Sequence, residues 1–244
     1  DMFKALFKND QAMTVVVSII LVYTSLNICG NLVLYFFRFD VGNEGAYSLF
    51  AAVAFAAQVL VMMVIPLLRK RFSKSQLFIS GFIIQIAGFA VILIMAFAKL
   101  YTPQSWYILC LPGILIYLGY GMLNVIMTIF LSDSVDYGEV MNGTREESVI
   151  FSMQTFTVKL ASGVAVFLAG LVVDWIHLDT AAAVQTQDTL DALRMWMTIP
   201  SVILLIVGIF VFKRFYKLDD TRMEEIKSCL LYTSPSPRDL STSR

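Results

Sequence analysis

Six stretches of this chain are apolar over the length that a membrane-crossing helix needs, and polar residues gather in the connectors and in a few periodic stripes. The stretches fall at residues 12–37, 46–68, 76–98, 105–131, 148–175 and 195–216. Each offers about 20 apolar residues, enough to cover roughly 30 Å of hydrocarbon at the helical rise. A spanning strand needs only about ten residues, so the lengths predict helices. The pattern therefore predicts an all-α membrane protein with six transmembrane helices. Residues 1–11 form a lead-in, and 217–228 form a tail.

Polar residues inside these spans are not scattered. In the fifth span Ser148, Ser152, Thr155, Lys159 and Ser162 recur at steps of four and three, with Gln154 beside them. That spacing puts them on one helix face. Thr24, Asn27, Asn31 and Tyr35 make a similar stripe in the first span, and Tyr117, Tyr120, Asn124 and Thr128 make one in the fourth. Polar side chains in lipid collect on protein-facing surfaces. Hydrogen bonding between helices would use the same residue types. Three stripes together favour a shared polar cavity suited to a polyhydroxylated ligand, since amides and hydroxyls offer both donors and acceptors. Small residues form a complementary pattern for close helix approach: Gly163 and Gly170 with Ala161, Ala165 and Ala169 in the fifth span, Gly81 and Gly88 in the third, and Gly113, Gly119 and Gly121 in the fourth.

Lys159 changes the picture most. It sits about 15 Å into its span, and a lysine stem cannot snorkel that far. A charge at the bilayer centre costs roughly 2.5–3.5 kcal/mol even on the gentler scales. Such a residue reads as a substrate or ion site, with a structural ion pair between helices as the alternative.

Composition agrees with membrane residence. The chain is 58% hydrophobic and 15% charged, with a mean hydropathy of +0.76, whereas soluble domains carry about 25% charged residues. Its net charge of zero gives no basis for nucleic-acid binding. Cys29 and Cys110 lie in apolar runs, so no disulfide framework is implied. His177 stands alone, no residues show metal-ligand spacing, and no cofactor motif, nucleophile–base pair or phosphate-cradling loop appears. Transport is favoured over enzymatic activity.

Lys4, Lys8, Arg69, Lys70, Arg71, Lys74, Lys213, Arg214 and Lys217 all fall on one side of the membrane if six helices alternate. The positive-inside rule then predicts cytoplasmic termini, and a plasma membrane is the expected location. Trp106, Tyr107, Trp175 and Trp196 mark the opposite interface. The polar stretch 177–193 is expected to be a solvated connector, with room for a short helix.

Between the fourth and fifth spans the chain reads FLSDSVDYGEVMNGTREESVIFSMQT. Asp133 and Asp136 share a helix face, and Arg145, Glu146 and Glu147 lie across a turn with Asn142 and Gly143. Such charges form either a latch at one mouth of the bundle or an ordinary solvated loop.

This segment resembles the glycoside–pentoside–hexuronide:cation symporters, which include the melibiose carriers of the major facilitator superfamily. The resemblance rests on Asp133-Ser-Val-Asp136-Tyr-Gly-Glu139, then Arg145 and Glu147, then Phe151-Ser-Met-Gln154-Thr155 and Lys159. It implies that the chain is the C-terminal six-helix half of a twelve-helix carrier. It further implies that Lys159 serves substrate binding and coupling, beside Gln154 and Thr155, and that Asp133, Asp136, Arg145 and Glu147 form a gating network. Asn124, Tyr120, Asn27 and Asn31 complete the expected sugar site. Melibiose carriers have tryptophan at the position of Asn124, which leaves the sugar open. The coupling cation (Na⁺, Li⁺ or H⁺) is expected to bind in the missing N-terminal half. The reading is a sugar or glycoside symporter working by alternating access, partnered by the other half and the lipid bilayer. The alternatives are a sulfonated sugar, a peptide-like solute or a lysolipid as cargo in the same fold, or a non-transporting membrane sensor.

Both ends look incomplete. The chain opens at Asp1 without a methionine, and residues 229–239 resemble a translated sequencing adapter, so 229–244 are expected to lie outside the native fold.

Overall fold

A computed structural model describes residues 9–143, 147–182, 184–218 and 220–233. Six of its helices are long and apolar enough to cross a membrane. Helix α1, Asp10–Tyr35, starts where the Asn9 side chain accepts a hydrogen bond from the Ala12 N–H at 2.9 Å. It widens into a π-helical turn, Phe36–Val41, that stops at Gly42 with φ of 74°, a conformation glycine adopts without strain. Helix α2 is Ala46–Leu68 and α3 is Lys74–Phe97, the latter opened by a Ser73/Gln76 capping box. A short 3₁₀ turn, Trp106–Leu109, leads into α4, Cys110–Asn142. Helices α5, Glu147–Trp175, and α6, Gln187–Phe215, follow, and α7, Asp220–Thr233, closes the described chain.

Three boundaries differ from the hydropathy reading. Helix α4 continues to Asn142 rather than ending at residue 131, because the polar residues of its last turns have partners there. Helix α6 begins at Gln187 rather than 195, capped by the Thr186 hydroxyl, so the polar connector is shorter than expected. Helix α7 runs through residue 229, where the sequence predicts the native fold to stop; residues 234–244 lie outside the described chain.

Helix α4 packs against α3 and α2, while α1 packs against α6, α5 and α4. The α3–α4 approach depends on a missing side chain. A Cβ at Gly119 would come within 2.6 Å of the Gln85 nitrogen and the Gly81 carbonyl oxygen, both backbone atoms that cannot step aside. Gly119→Ala is expected to cost at least about 1–3 kcal/mol by overpacking. Thermal unfolding in detergent checks it, and an unchanged midpoint would mean the helices can part at no cost.

Helix α1 is fastened to α6 at three levels. At the end bearing the basic loop 69–74, here the basic end, Gln11 accepts from the Lys217 N–H at 2.8 Å and donates to the Phe215 carbonyl at 3.4 Å. Midway, the Ser25 and Ser201 hydroxyls each donate to the other's backbone carbonyl, at 3.0 and 2.8 Å. At the far end Arg194 donates to both Asp40 oxygens, at 2.6 and 2.8 Å, and to Asp191 at 2.7 Å. The Tyr101 hydroxyl completes this group by donating to Asp40 at 2.7 Å. Burial and the adjacent Asp40 charge push the Tyr101 phenol well above its ordinary value. The Arg194 side chain is only 2% exposed and that of Asp40 4%.

The basic end carries a second buried group. Lys74 and Asp133, each 4% exposed, are bonded to one another. Asp220, in the first turn of α7, reaches the Lys74 ammonium at 3.4 Å and Arg69 at 3.3 Å. Leu218, Met223 and Ile226 pack beneath Tyr137 and Tyr216, so α7 docks through both charge and apolar contact. Burial works to raise the Asp220 carboxyl, but Lys74 and Arg69 outweigh it and hold it below the ordinary 3.8. A depressed carboxylate contributes stability above its unfolded pKa and loses it as pH falls through the folded one. Undocking of α7 is therefore expected below about pH 4, read as a loss of hydrogen-exchange protection, relative to the intrinsic rate at each pH, in residues 220–228. Protection there that stays unchanged from pH 6 to 3 would exclude the electrostatic clasp.

Candidate functional site

The stripes of α1, α4 and α5 meet along one seam. Asn124 of α4 is half-buried and donates its amide to the Tyr23 hydroxyl of α1 at 2.6 Å. The Tyr120 ring, one turn away on α4, stands edge-on to Tyr23 at 5.5 Å and to Tyr117 at 6.4 Å. One turn along α4 in the other direction, the Thr128 hydroxyl accepts from the Gln154 amide of α5 at 3.4 Å. Side chains from three helices thus form a continuous polar and aromatic strip.

The other expected substrate residues take distinct positions. Thr155 and Lys159, on consecutive turns of α5, are exposed, and the Thr155 hydroxyl donates to the Phe151 carbonyl at 3.2 Å. The sequence predicts that Lys159 is solvated or paired within a protein interior. Among the described residues it has no hydrogen-bond or ion-pair partner, because these six helices cover only the alanine side of α5. Asn27 and Asn31 are half-buried, and each spends its amide N–H on its own helix, bonding the carbonyls of Tyr23 and Asn27 at 2.7 Å. Their side-chain oxygens remain as acceptors. Thr24, by contrast, turns into the bundle and is buried.

Of the gating residues, Asp133 is buried against Lys74, a lysine that the sequence alone places only in the basic loop. Asp136 is half-buried near the end of α4, and Glu147 is exposed at the start of α5. Arg145 lies outside the described residues.

An apolar groove of about 530 Å³ opens elsewhere, between α5 and α6 over Ile28, lined by Leu168, Trp196, Ile199 and Ile203 among others. Apart from the Trp196 indole it offers no side-chain donor or acceptor. It does not suit a sugar.

Residues 1–220 match the family described as MFS/sugar transport protein. The chain belongs to this family. This member of the family is similar to the uncharacterized symporter YjmB of Bacillus subtilis, at 26% identity over 91% of its own length and 47% of the relative. It is also similar to the raffinose carrier protein of Pediococcus pentosaceus, at 24% identity over 86% and 32%, and to the isoprimeverose transporter of Lactiplantibacillus pentosus, at 25% over 88% and 43%. It spans less than half the length of each. With six apolar helices, this family member is a multi-pass membrane protein.

Sequence reasoning passes over three residues that the structure makes central. Tyr23 precedes Asn27, Asn31 and Tyr35 at steps of four, a signal obscured by the neighbouring Thr24. Arg194 and Lys74 each sit at the edge of a span, where a cation looks like a topology marker.

Proposed function

We propose that this chain is one six-helix half, by its motif the C-terminal half, of a cation-coupled symporter for a sugar or glycoside. The observation that carries the reading is the seam of Tyr23, Tyr120, Asn124, Thr128 and Gln154, with Lys159 on the adjacent open face. Hydroxyls and amides match a polyol, aromatic rings can stack on a sugar, and the ammonium can grip ring hydroxyls. The names of the relatives, two sugar carriers and a symporter, support the same reading. The second half would close the cavity over Lys159, and rocking of the halves would expose the site to each side in turn. Both termini and the basic end would face the cytoplasm of a bacterium.

Among the described residues no three His, Cys, Asp or Glu side chains come together to hold a cation. By the resemblance in its motif, the coupling cation is expected to bind in the other half. A cation that binds well only together with sugar links the two fluxes.

The test is uptake of labelled glycosides into proteoliposomes holding the full-length carrier, with and without an imposed Na⁺, Li⁺ or proton gradient. Gradient-dependent accumulation is expected. Uptake of no sugar would overturn the reading, and equal uptake with and without every gradient would remove the coupling. The α5–α6 groove favours one other reading, a lysolipid cargo; competition by lysolipids where glycosides fail to compete would establish it.

A further inference from the structure

Helix α2 carries one amide, Gln58, in a span that is apolar apart from Tyr47 and Ser48 at its start. Gln58 lies 12 residues from Ala46 and ten from Leu68, so about 15–18 Å from either end at the helical rise. It is half-buried, and its side chain has no hydrogen-bond partner among the described residues. An amide turned to hydrocarbon without a partner is strongly unfavourable. Its surroundings show where it points. A Cβ on Gly121 of α4 would lie 3.0 Å from the Gln58 carbonyl oxygen and 3.2 Å from its Cγ, so the side chain lies against α4 at this glycine. Asn124 follows Gly121 by three residues and Tyr117 precedes it by four, one turn away on either side. Tyr47 is 11 residues, about three turns, before Gln58 on the same face of α2, and it packs on Phe37 in the π-helical extension of α1 at 6.1 Å. The face that carries Gln58 therefore looks toward α1. The amide stands on the α2 side of a cleft whose α1 side holds Tyr23 and whose floor is Tyr117 and Asn124 of α4.

We propose that Gln58 is a specificity-determining residue of the sugar site, contributed by α2, a helix that carries no polar stripe. Its amide hydrogen-bonds one hydroxyl of the transported sugar. This inference rests on the sugar-symport reading. An amide both donates and accepts, so it suits a hydroxyl in either sense. Helix α5 packs on α1 and α2 packs on α4, so Lys159 and Gln58, each midway along its helix, flank a ligand lying along the seam from opposite sides. Two contacts on opposite sides fix the orientation of a ring more closely than contacts along one wall. A hydrogen bond across to the other half would use the same amide, and ligand chemistry separates the two. Removing the bonded hydroxyl from the sugar weakens binding only while the amide is present, which is how coupled partners behave.

The experiment measures initial uptake by the full-length carrier for the transported sugar and its monodeoxy derivatives. Gln58→Met, close in length and suited to an apolar span, is expected to raise KM for the parent sugar about tenfold with maximal rate little changed, the loss of one hydrogen bond in a desolvated site. For the derivative that lacks the bonded hydroxyl, wild type and variant should share one raised KM, while derivatives altered elsewhere keep the tenfold gap. A gap of the same size for every derivative, or less carrier with KM unchanged, would make Gln58 a contact to the other half and overturn the inference. Gln58→Cys in a full-length carrier otherwise free of cysteine gives a second reading that serves even if the methionine variant is lost from the membrane. A charged, water-soluble thiol reagent is expected to label it, and sugar at about ten times its Kd should slow labelling about tenfold by mass action. No labelling, or labelling that sugar leaves unslowed, in a carrier that transports would overturn this inference alone. No uptake of any sugar by wild type would overturn the symport reading and this inference with it.

Discussion

Lys159→Ala in the full-length carrier is expected to reduce gradient-driven sugar accumulation by about 10- to 150-fold, the loss of one charge-assisted hydrogen bond in a desolvated site. Its placement is the reason. The ammonium lies midway along α5, far from either interface, on a face that the other five membrane helices leave open. Gln154 and Thr155, about one turn away, carry the seam to it. An unpaired charge at that depth is tolerated only where protein or water receives it. Lys159→Arg should recover little, since the planar guanidinium needs a fork of acceptors rather than a point contact. Measuring equilibrium exchange of sugar beside active accumulation separates binding from coupling: loss of both assigns Lys159 to the sugar, and loss of accumulation alone assigns it to coupling. Full accumulation by the alanine variant would leave Lys159 with no part in transport.

The largest effect on stability is expected at Arg194. Arg194→Met leaves the Asp40 carboxylate in a site where its side chain is 4% exposed, with the Tyr101 hydroxyl as its remaining donor. Breaking a buried ion pair from one side costs about 3–5 kcal/mol, because the surviving charge stays uncompensated. Replacing both partners is far gentler, and apolar substitutes of similar volume are often neutral or stabilising. The double variant Arg194→Met with Asp40→Leu is therefore expected to melt well above the single Arg194→Met. Thermal unfolding of the purified carrier in detergent reads the order directly. If the double variant melts at or below the single one, the pair itself supplies the stability, and the surviving charge is not what destabilises the single variant.

The spans are legible because about 20 apolar residues in a row suit little besides a membrane-crossing helix, and α2 keeps its expected bounds at Ala46–Leu68. The end of α4 is not legible. Asp133, Ser134 and Asp136 depress local hydropathy, yet the helix continues because Lys74, some 59 residues earlier, neutralises Asp133. Long-range partners of this kind leave no periodic trace. The same holds for Arg194, whose partner Asp40 is 154 residues away. In the candidate site, helical spacing does place Asn124, Tyr120 and Gln154 on facing surfaces. It misses that Tyr23, rather than Thr24, carries the α1 stripe toward α4, since both residues fit a step of three or four to Asn27. The glycine pattern divides in the same way. Gly81, Gly88, Gly113, Gly119 and Gly121 stand at close approaches, whereas Gly163 and Gly170 face open space and the alanines of α5 do the packing.

The bonds from Gln11, Ser25 and Asp40 to α6 and its end divide α1 with its π-helical extension into two nearly equal lengths of about four helical turns each. A rod pinned at both ends and the middle has little torsional compliance. Helices α1 and α6 should therefore move as one stiff lever, carrying Tyr23, Asn27 and Asn31 at a constant azimuth. Helix α5 meets α1 through the small side chains of Ala161, Ala165 and Ala169. If one helix of the half shifts, it is expected to be α5 with Lys159 rather than the pinned pair that carries Tyr23, Asn27 and Asn31.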